Sequence, residues 1–243
     1  FNQNGAYSFG FKKGDGFPDD PQSVLNLYHH PELVHTLCVS KHDQKLLTSG
    51  FGLGKQKVSR LINAIETTVF KPGGSKKRIL SYMPRKNNRD ASIVTAMLQE
   101  QPWFKNWRLQ PIHGLPQPKV ASLLQSSLGF LSFGHPEGFG LPLAEAAACG
   151  CALIGYSGLG GREIFSLSKE RQVGWEVEFG DWQGFLTSIK MLVQLVEQQP
   201  KTVVTQLEHL SQDVRNRYSR EAMIQSVADA LLTWESQLRM KHF

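Results

Sequence analysis

Two carboxylates, Glu137 and Glu145, stand eight positions apart in the stretch PEGFGLPLAEAAACG, Pro136 to Gly150. Between them a Gly-Phe-Gly-Leu-Pro turn reads as the entrance to a helix. Gly138 and Gly140 let the backbone approach a ligand with no Cβ in the way. Pro142 costs little near the first helical position, where its missing N–H would be unpaired in any case. The N–H groups around Gly140 and Leu141 then face outward with the positive end of the helix, which favours an anion. The spacing places Glu145 on the first helical turn, where it can accept hydrogen bonds from vicinal hydroxyls. Its plainer reading there is helix stabilisation, about 0.3–1 kcal/mol, and Glu137 alone would read as a surface loop residue. Taken together, the carboxylates and the turn suit a ligand bearing both hydroxyls and phosphate, which is the chemistry of a nucleotide sugar.

The elements around this loop must hold it at a sheet edge. From residue 78 onward the chain alternates short apolar runs with helical stripes. Strands are expected at Arg78–Tyr82, Trp107–Ile112, Gly129–Phe133, Ala152–Tyr156 and Gly174–Phe179. Helices are expected at Arg89–Gln101, Lys119–Ser126 and Leu141–Cys149, with a short one beginning at Gly161–Phe165. This rhythm implies βαβ units and a parallel sheet covered on both faces. The fold class is therefore α/β, a Rossmann-like doubly wound sheet. In such sheets ligands bind beyond the carboxyl ends of the strands, where strand order reverses. The loop Phe133–Gly140 leaves a strand and enters a helix, so it belongs on that edge. The alanines at 144 and 146–148 let the helix lie close to the sheet.

The remaining chain is less regular. Residues 1–72 read as a polar lead-in and a partial α/β segment, with a strand over Leu33–Ser40 and a short helix over Lys41–Thr48. GFGLGKQ, from Gly50, fails the phosphate-loop pattern because Ser49 and Gln56 replace its first glycine and its Ser/Thr, so it reads as a turn. FKPGGSKK, Phe70 to Lys77, has the composition of a linker. Residues 73–215 form the expected ligand-binding domain. Toward its end an apolar face from Trp182 to Val196 predicts a helix stopped by Pro200. Ser219 is the expected N-cap of a last helix over 216–243, with Ile224, Val227, Ala228, Leu231 and Leu238 as its packing surface.

Composition narrows the class. With 243 residues the chain can bury an ample core, and 40% hydrophobic with 20% charged residues is ordinary for a globular protein. A net charge of +6 suits either solubility or an anionic partner. The basic residues do not cluster with aromatics on a recognisable module, so no nucleic-acid partner is expected. No stretch has the roughly 20 apolar residues that span a bilayer. The start, at Phe1, has no signal-peptide pattern and is expected of a fragment or a processed form. Cys38, Cys149 and Cys151 lack companions at zinc spacing and read as buried thiols in a reducing compartment. A cytoplasmic location is expected, with peripheral contact at the inner face of a membrane as an option.

EGFGLPLAEAAACG resembles the E-x7-E motif of retaining GT-B glycosyltransferases, group 1, as in glycosyltransferase family 4. Other segments extend the resemblance over roughly residues 39 to 180. VSKHDQKLLTSGFGLGKQKVSRLINAIETTVFKP, Val39 to Pro72, is similar to the crossing from the N-terminal domain to the hinge, with Asn63-Ala64-Ile65-Glu66 for the usual Asn-Gly-Ile-Asp. SYMPRK, Ser81 to Lys86, resembles the loop that grips the donor diphosphate, and SGLGGREIF, Ser157 to Phe165, a later glycine-rich loop. The resemblance implies the C-terminal, donor-binding domain of such an enzyme, and sugar transfer with retention to the hydroxyl of a glycan or lipid acceptor. It implies that Glu137 lies against the donor sugar and Glu145 holds the ribose. Arg85, with Lys86 or Arg89, would neutralise the diphosphate. Gly138, Phe139, Gly140 and Leu141 would form the donor loop, and no metal or other cofactor is implied. Phe133-Gly134 departs from the usual Pro-Ser and leaves His135 as an extra ionisable group beside the motif, either incidental or an additional donor contact. The family's N-terminal glycine-rich loop and acceptor-side His have no counterpart in residues 1–70. A non-catalytic sugar-nucleotide-binding module and a GT-B-fold epimerase are the alternatives. A phosphorylase would need a pyridoxal phosphate lysine, for which there is no specific signal.

Overall fold

The computed structural model describes residues 1–10 and 20–241. The middle of the polar lead-in, 11–19, and the last two residues lie outside the described residues. The described part of the lead-in runs into helix α1 (Pro21–Tyr28), whose N-cap Asp20 accepts from the N–H groups of Gln22 and Ser23. Strand β1 (Thr36–Cys38) follows. Helix α2 (Lys41–Lys45), capped by Ser40, then gives way to a π-type turn over Leu46–Gly50. Strand β2 (Val58–Arg60) pairs in parallel with β1, Thr36 opposite Val58. This small sheet packs on Cys38, Leu47, Phe51, Leu53 and Val58. The Gly50 turn is thus anchored by its own buried Phe51 and Leu53.

The second sheet follows the expected rhythm: β3 (Lys77–Tyr82), α3 (Asn88–Gln99), β4 (Arg108–Pro111), α4 (Gln117–Ser126) and β5 (Ser127–Phe133). It continues through α5 (Leu141–Ala148), β6 (Ala152–Tyr156), α6 (Arg162–Glu170), β7 (Gly174–Glu176) and α7 (Trp182–Gln198). All five strands run parallel in the order β4-β3-β5-β6-β7. From β3 the chain steps outward to β4 and then returns across β3 to β5, so strand order reverses between β3 and β5. Helices α3 and α7 pack together, while α5 packs against both α4 and α6. Every residue of β5 and β6 is buried, as expected for central strands covered on both faces.

Beyond α7 come α8 (Pro200–Arg217) and α9 (Arg220–Lys241). Pro200 does stop α7, but it also opens α8, where a first-turn proline needs no N–H partner. The stripe Val203, Leu207, Leu210 and Val214 is buried and packs α8 on α5 and α6, a helix the expected stop at Pro200 did not include. Ser219 does cap α9, its hydroxyl accepting from the N–H of Ala222 at 3.1 Å. The expected packing surface is different. Ile224 is 56% exposed and Leu231 47%, and Val227 and Ala228 also face solvent. Helix α9 instead turns Ala230 inward and bonds the small sheet through polar groups, Gln237 to His35 and Ser226 to the N–H of Ile62. Helical spacing identified an apolar stripe but not the side of the helix that is covered.

Candidate functional site

Two loops flank the reversal of strand order, one after β3 carrying Arg85 and Lys86 and one after β5 carrying Glu137. They meet directly. The Lys86 ammonium donates to a carboxylate oxygen of Glu137 at 2.7 Å. Arg85, Lys86 and Glu137 share a crevice of about 70 Å³ with Ser132, Phe133 and Gly134. The basic loop and the first motif carboxylate, separated by 51 residues, are thus brought into contact at the place where doubly wound sheets bind ligands.

The motif loop is held from two sides. The Glu137 N–H donates to the carbonyl of Gly158 at 2.9 Å, and the Gly160 N–H donates back to the Glu137 carbonyl at 3.0 Å. This ties PEGFG to the later glycine loop SGLGG. On the other side lies the N-terminal segment. A Cβ at Gly138 would fall 1.8 Å from the carbonyl oxygen of Gln3, so only glycine fits there. The Asn4 side-chain amide donates to the carbonyl of Pro136. Gln3 and Asn4 are site residues that sequence reasoning missed, because a contact across more than a hundred positions leaves no local pattern.

Helix α5 begins at Leu141 because Gly140 sits at φ +88°, outside the helical region and open to glycine. In its first turn Pro142 has no N–H and the Leu143 N–H donates to the Gly140 carbonyl at 3.0 Å, which leaves the Leu141 N–H without an intrahelical partner. The same start makes Glu145 the fifth helical residue, so it lies on the second turn, not the first as the spacing suggested. Glu145 is half-buried, and burial pushes its carboxyl up to about 7. A carboxylate poised there is ready to accept hydroxyl donors, which would favour its ionised form.

The other expected site residues are placed as follows. Phe139 turns inward and meets the Tyr218 ring edge-on at 4.9 Å, anchoring the loop to α8. Leu141 is 43% exposed at the mouth of the helix. Arg89, on the first turn of α3, lies over the Trp182 ring at 5.9 Å and does not line the crevice. His135 lines a separate cavity on the far side of the motif loop. Glu145 lies outside the crevice lining, one turn further along α5. Among the described residues no group of three His, Cys, Asp or Glu side chains is placed to hold a metal ion.

A second unexpected contact joins the small sheet to the large one. Arg60, at the end of β2, pairs with Glu163 on α6 at 2.8 Å, and both side chains are nearly buried. Burial pushes the Glu163 carboxyl above its ordinary range, with Arg60 opposing the shift.

Residues 108–203 match the family model described as glycosyl transferases group 1. By that match the stretch is similar to group 1 glycosyl transferases. It carries Glu137 and Glu145, while Arg85 and Lys86 precede it. No curated protein matches the chain by sequence. Among solved structures, S. aureus TarM is 10% identical with a TM-score of 0.67, over 90% of this chain and 48% of TarM. Sucrose-phosphate synthase from Thermosynechococcus elongatus is 16% identical with a TM-score of 0.66, over 99% of this chain and 67% of that one. Anabaena HepE is 14% identical with a TM-score of 0.66, over 87% of this chain and 67% of that one. The fold around the group 1 stretch is thus the Rossmann-like half of GT-B. The chain spans about half the length of TarM.

Proposed function

We propose that this chain carries the donor-binding part of a glycosyltransferase that moves a sugar, with retention, from a nucleoside diphosphate sugar to an acceptor hydroxyl on a glycan or lipid. The observation that carries the reading is the Lys86–Glu137 contact across the switch-point crevice, with Arg85 beside it. Two similar structures support the ligand class: TarM is seen with UDP and HepE with UDP-glucose. The group 1 match over residues 108–203 supports the reaction class. Residues 1–72 would then be the end of the acceptor-side domain and the hinge, and α9 the helix that returns to it.

In this reading the diphosphate lies between Arg85, Lys86 and the Leu141 N–H at the start of α5, and Glu145 accepts the ribose hydroxyls. Negative charge grows on the diphosphate as the glycosidic bond breaks, and pre-aimed cations and N–H groups stabilise it. Glu137 orients the sugar through its hydroxyls, and the acceptor attacks from the face the diphosphate leaves. No step assigns work to a metal ion. Lys86 is paired with Glu137 at the crevice, so in this reading it transfers from Glu137 to phosphate on binding.

Calorimetric titration with UDP, UDP-glucose and a panel of other nucleoside diphosphates tests the site. Binding of at least one of them is expected, weakened about tenfold or more by Arg85→Ala and by Glu145→Ala, since each removes a charge-assisted hydrogen bond. No binding of any nucleotide, or equal binding by both variants, overturns the site.

A further inference from the structure

A second and larger cavity, about 760 Å³, opens beyond the carboxyl ends of β5, β6 and β7, within the size range of small-ligand sites. Its lining differs in chemistry from the crevice. Phe179 is 66% exposed and rests against the Tyr156 ring at 5.2 Å, so an aromatic face is held out toward the cavity. Glu176 and Glu178 supply two carboxylates. The cation that lines the cavity with them, Arg162, lies 3.8 Å from Glu176, which also holds Lys169 at 2.8 Å. This cationic charge is already matched by carboxylate, so the cavity suits a neutral ligand better than a phosphate. Carboxylates accept from hydroxyls, and an aromatic face attracts the weakly positive C–H groups of an apolar surface. Hydroxyls around an apolar C–H face describe a pyranose.

The position of the cavity gives that chemistry a use. His135 and Pro136 line it, whereas Glu137, the next residue, lines the crevice. The motif loop is therefore a wall shared by both sites. We propose that this cavity binds a neutral pyranose unit of the acceptor glycan, one remote from the hydroxyl that receives the new sugar. Its acceptor role rests on the glycosyl-transfer reading above; the sugar binding itself does not.

Saturation-transfer NMR on the whole chain tests it, with the methyl glycosides of glucose, galactose, mannose, xylose and N-acetylglucosamine as probes. Transfer to at least one glycoside is expected, persisting at saturating UDP. The same signal should weaken about tenfold in Phe179→Ala, with the loss of the aromatic face, and fall in Glu178→Gln. Both residues are exposed, and unchanged thermal melting verifies that the variants fold. Transfer to none of the probes, transfer untouched by both substitutions, or displacement by UDP overturns the proposal. Nucleotide binding is read separately. Loss of UDP binding with the glycoside signal intact strikes the donor-site reading alone, and the converse strikes only the sugar cavity.

Discussion

Both sheets of this chain are parallel, yet they are supported in different ways. In the large sheet, β5 and β6 are buried along their whole length, and aromatic rings such as Phe133 and Phe185, stacked at 5.0 Å, fill the space beneath. The small sheet rests on five buried side chains; Arg60 to Glu163 and Ile65 N–H to the Tyr218 carbonyl join its segment to the large sheet, beside Val39 and Ile65, which are buried in the large core. Apolar bulk makes the first sheet stable in itself. The second has a small core of its own and is docked by a few apolar residues together with polar contacts, among them a buried charge pair whose net contribution to stability is small.

That contrast can be broken by substitution. Phe185→Ala should cost most, about 3–5 kcal/mol in urea unfolding, because it opens the fully buried layer between α7 and the sheet. A loss below about 1 kcal/mol would mean that the large sheet does not depend on this layer. Glu163→Ala should cost about 3 kcal/mol by leaving Arg60 buried and unpaired. Amide exchange at Leu37 and Ser59 should rise more than at Phe130, and equal rises would refute the positional role of the pair. Leu47→Ala should cost about 2 kcal/mol, the low end for such truncations, because a five-residue cluster can collapse around the gap. Its effect should be confined to exchange in the small sheet.

The smallest expected effect is a gain. The Glu145 carboxyl is raised to about 7 in the folded chain, against an ordinary value near 4.3. The folded state therefore holds this proton more tightly than the unfolded one, and stability falls as pH rises from about 4.5 to 7. Glu145→Gln removes the penalty and should stabilise the protein by about 1–2 kcal/mol at pH 8, with little change at pH 4. The comparison of melting temperatures at the two pH values checks the sign. No gain at pH 8 would show that Glu145 is not an ionised, desolvated group in the empty protein.

The parts of the site that were legible in sequence are local. Gly138, Gly140 and Pro142 specify a turn into a helix by backbone rules that act over a few residues, and the apolar runs of β5 and β6 record two-sided burial. Contacts that depend on the tertiary fold left no such trace. Arg60 and Glu163 lie 103 positions apart, and either alone reads as a surface charge. Arg89 and His135 have the right types and neighbours for a phosphate loop, but in the fold they lie over Trp182 and at the second cavity. The one-position error at Glu145 came from where the helix begins, which the left-handed Gly140 decides.

The Lys86–Glu137 pair also affects how the site should respond to ionic strength. Lys86 is 40% exposed and Glu137 14%, so dissolved salt screens the resident pair as well as the attraction of an incoming phosphate. An unpaired lysine would lose affinity for an anion steadily as salt rose. Here the same ions also loosen the carboxylate that competes for the ammonium, and the two losses partly cancel. Nucleotide affinity should therefore vary less with salt than the charge of the ligand alone would dictate, and replacing Glu137 by Gln should restore the steeper dependence.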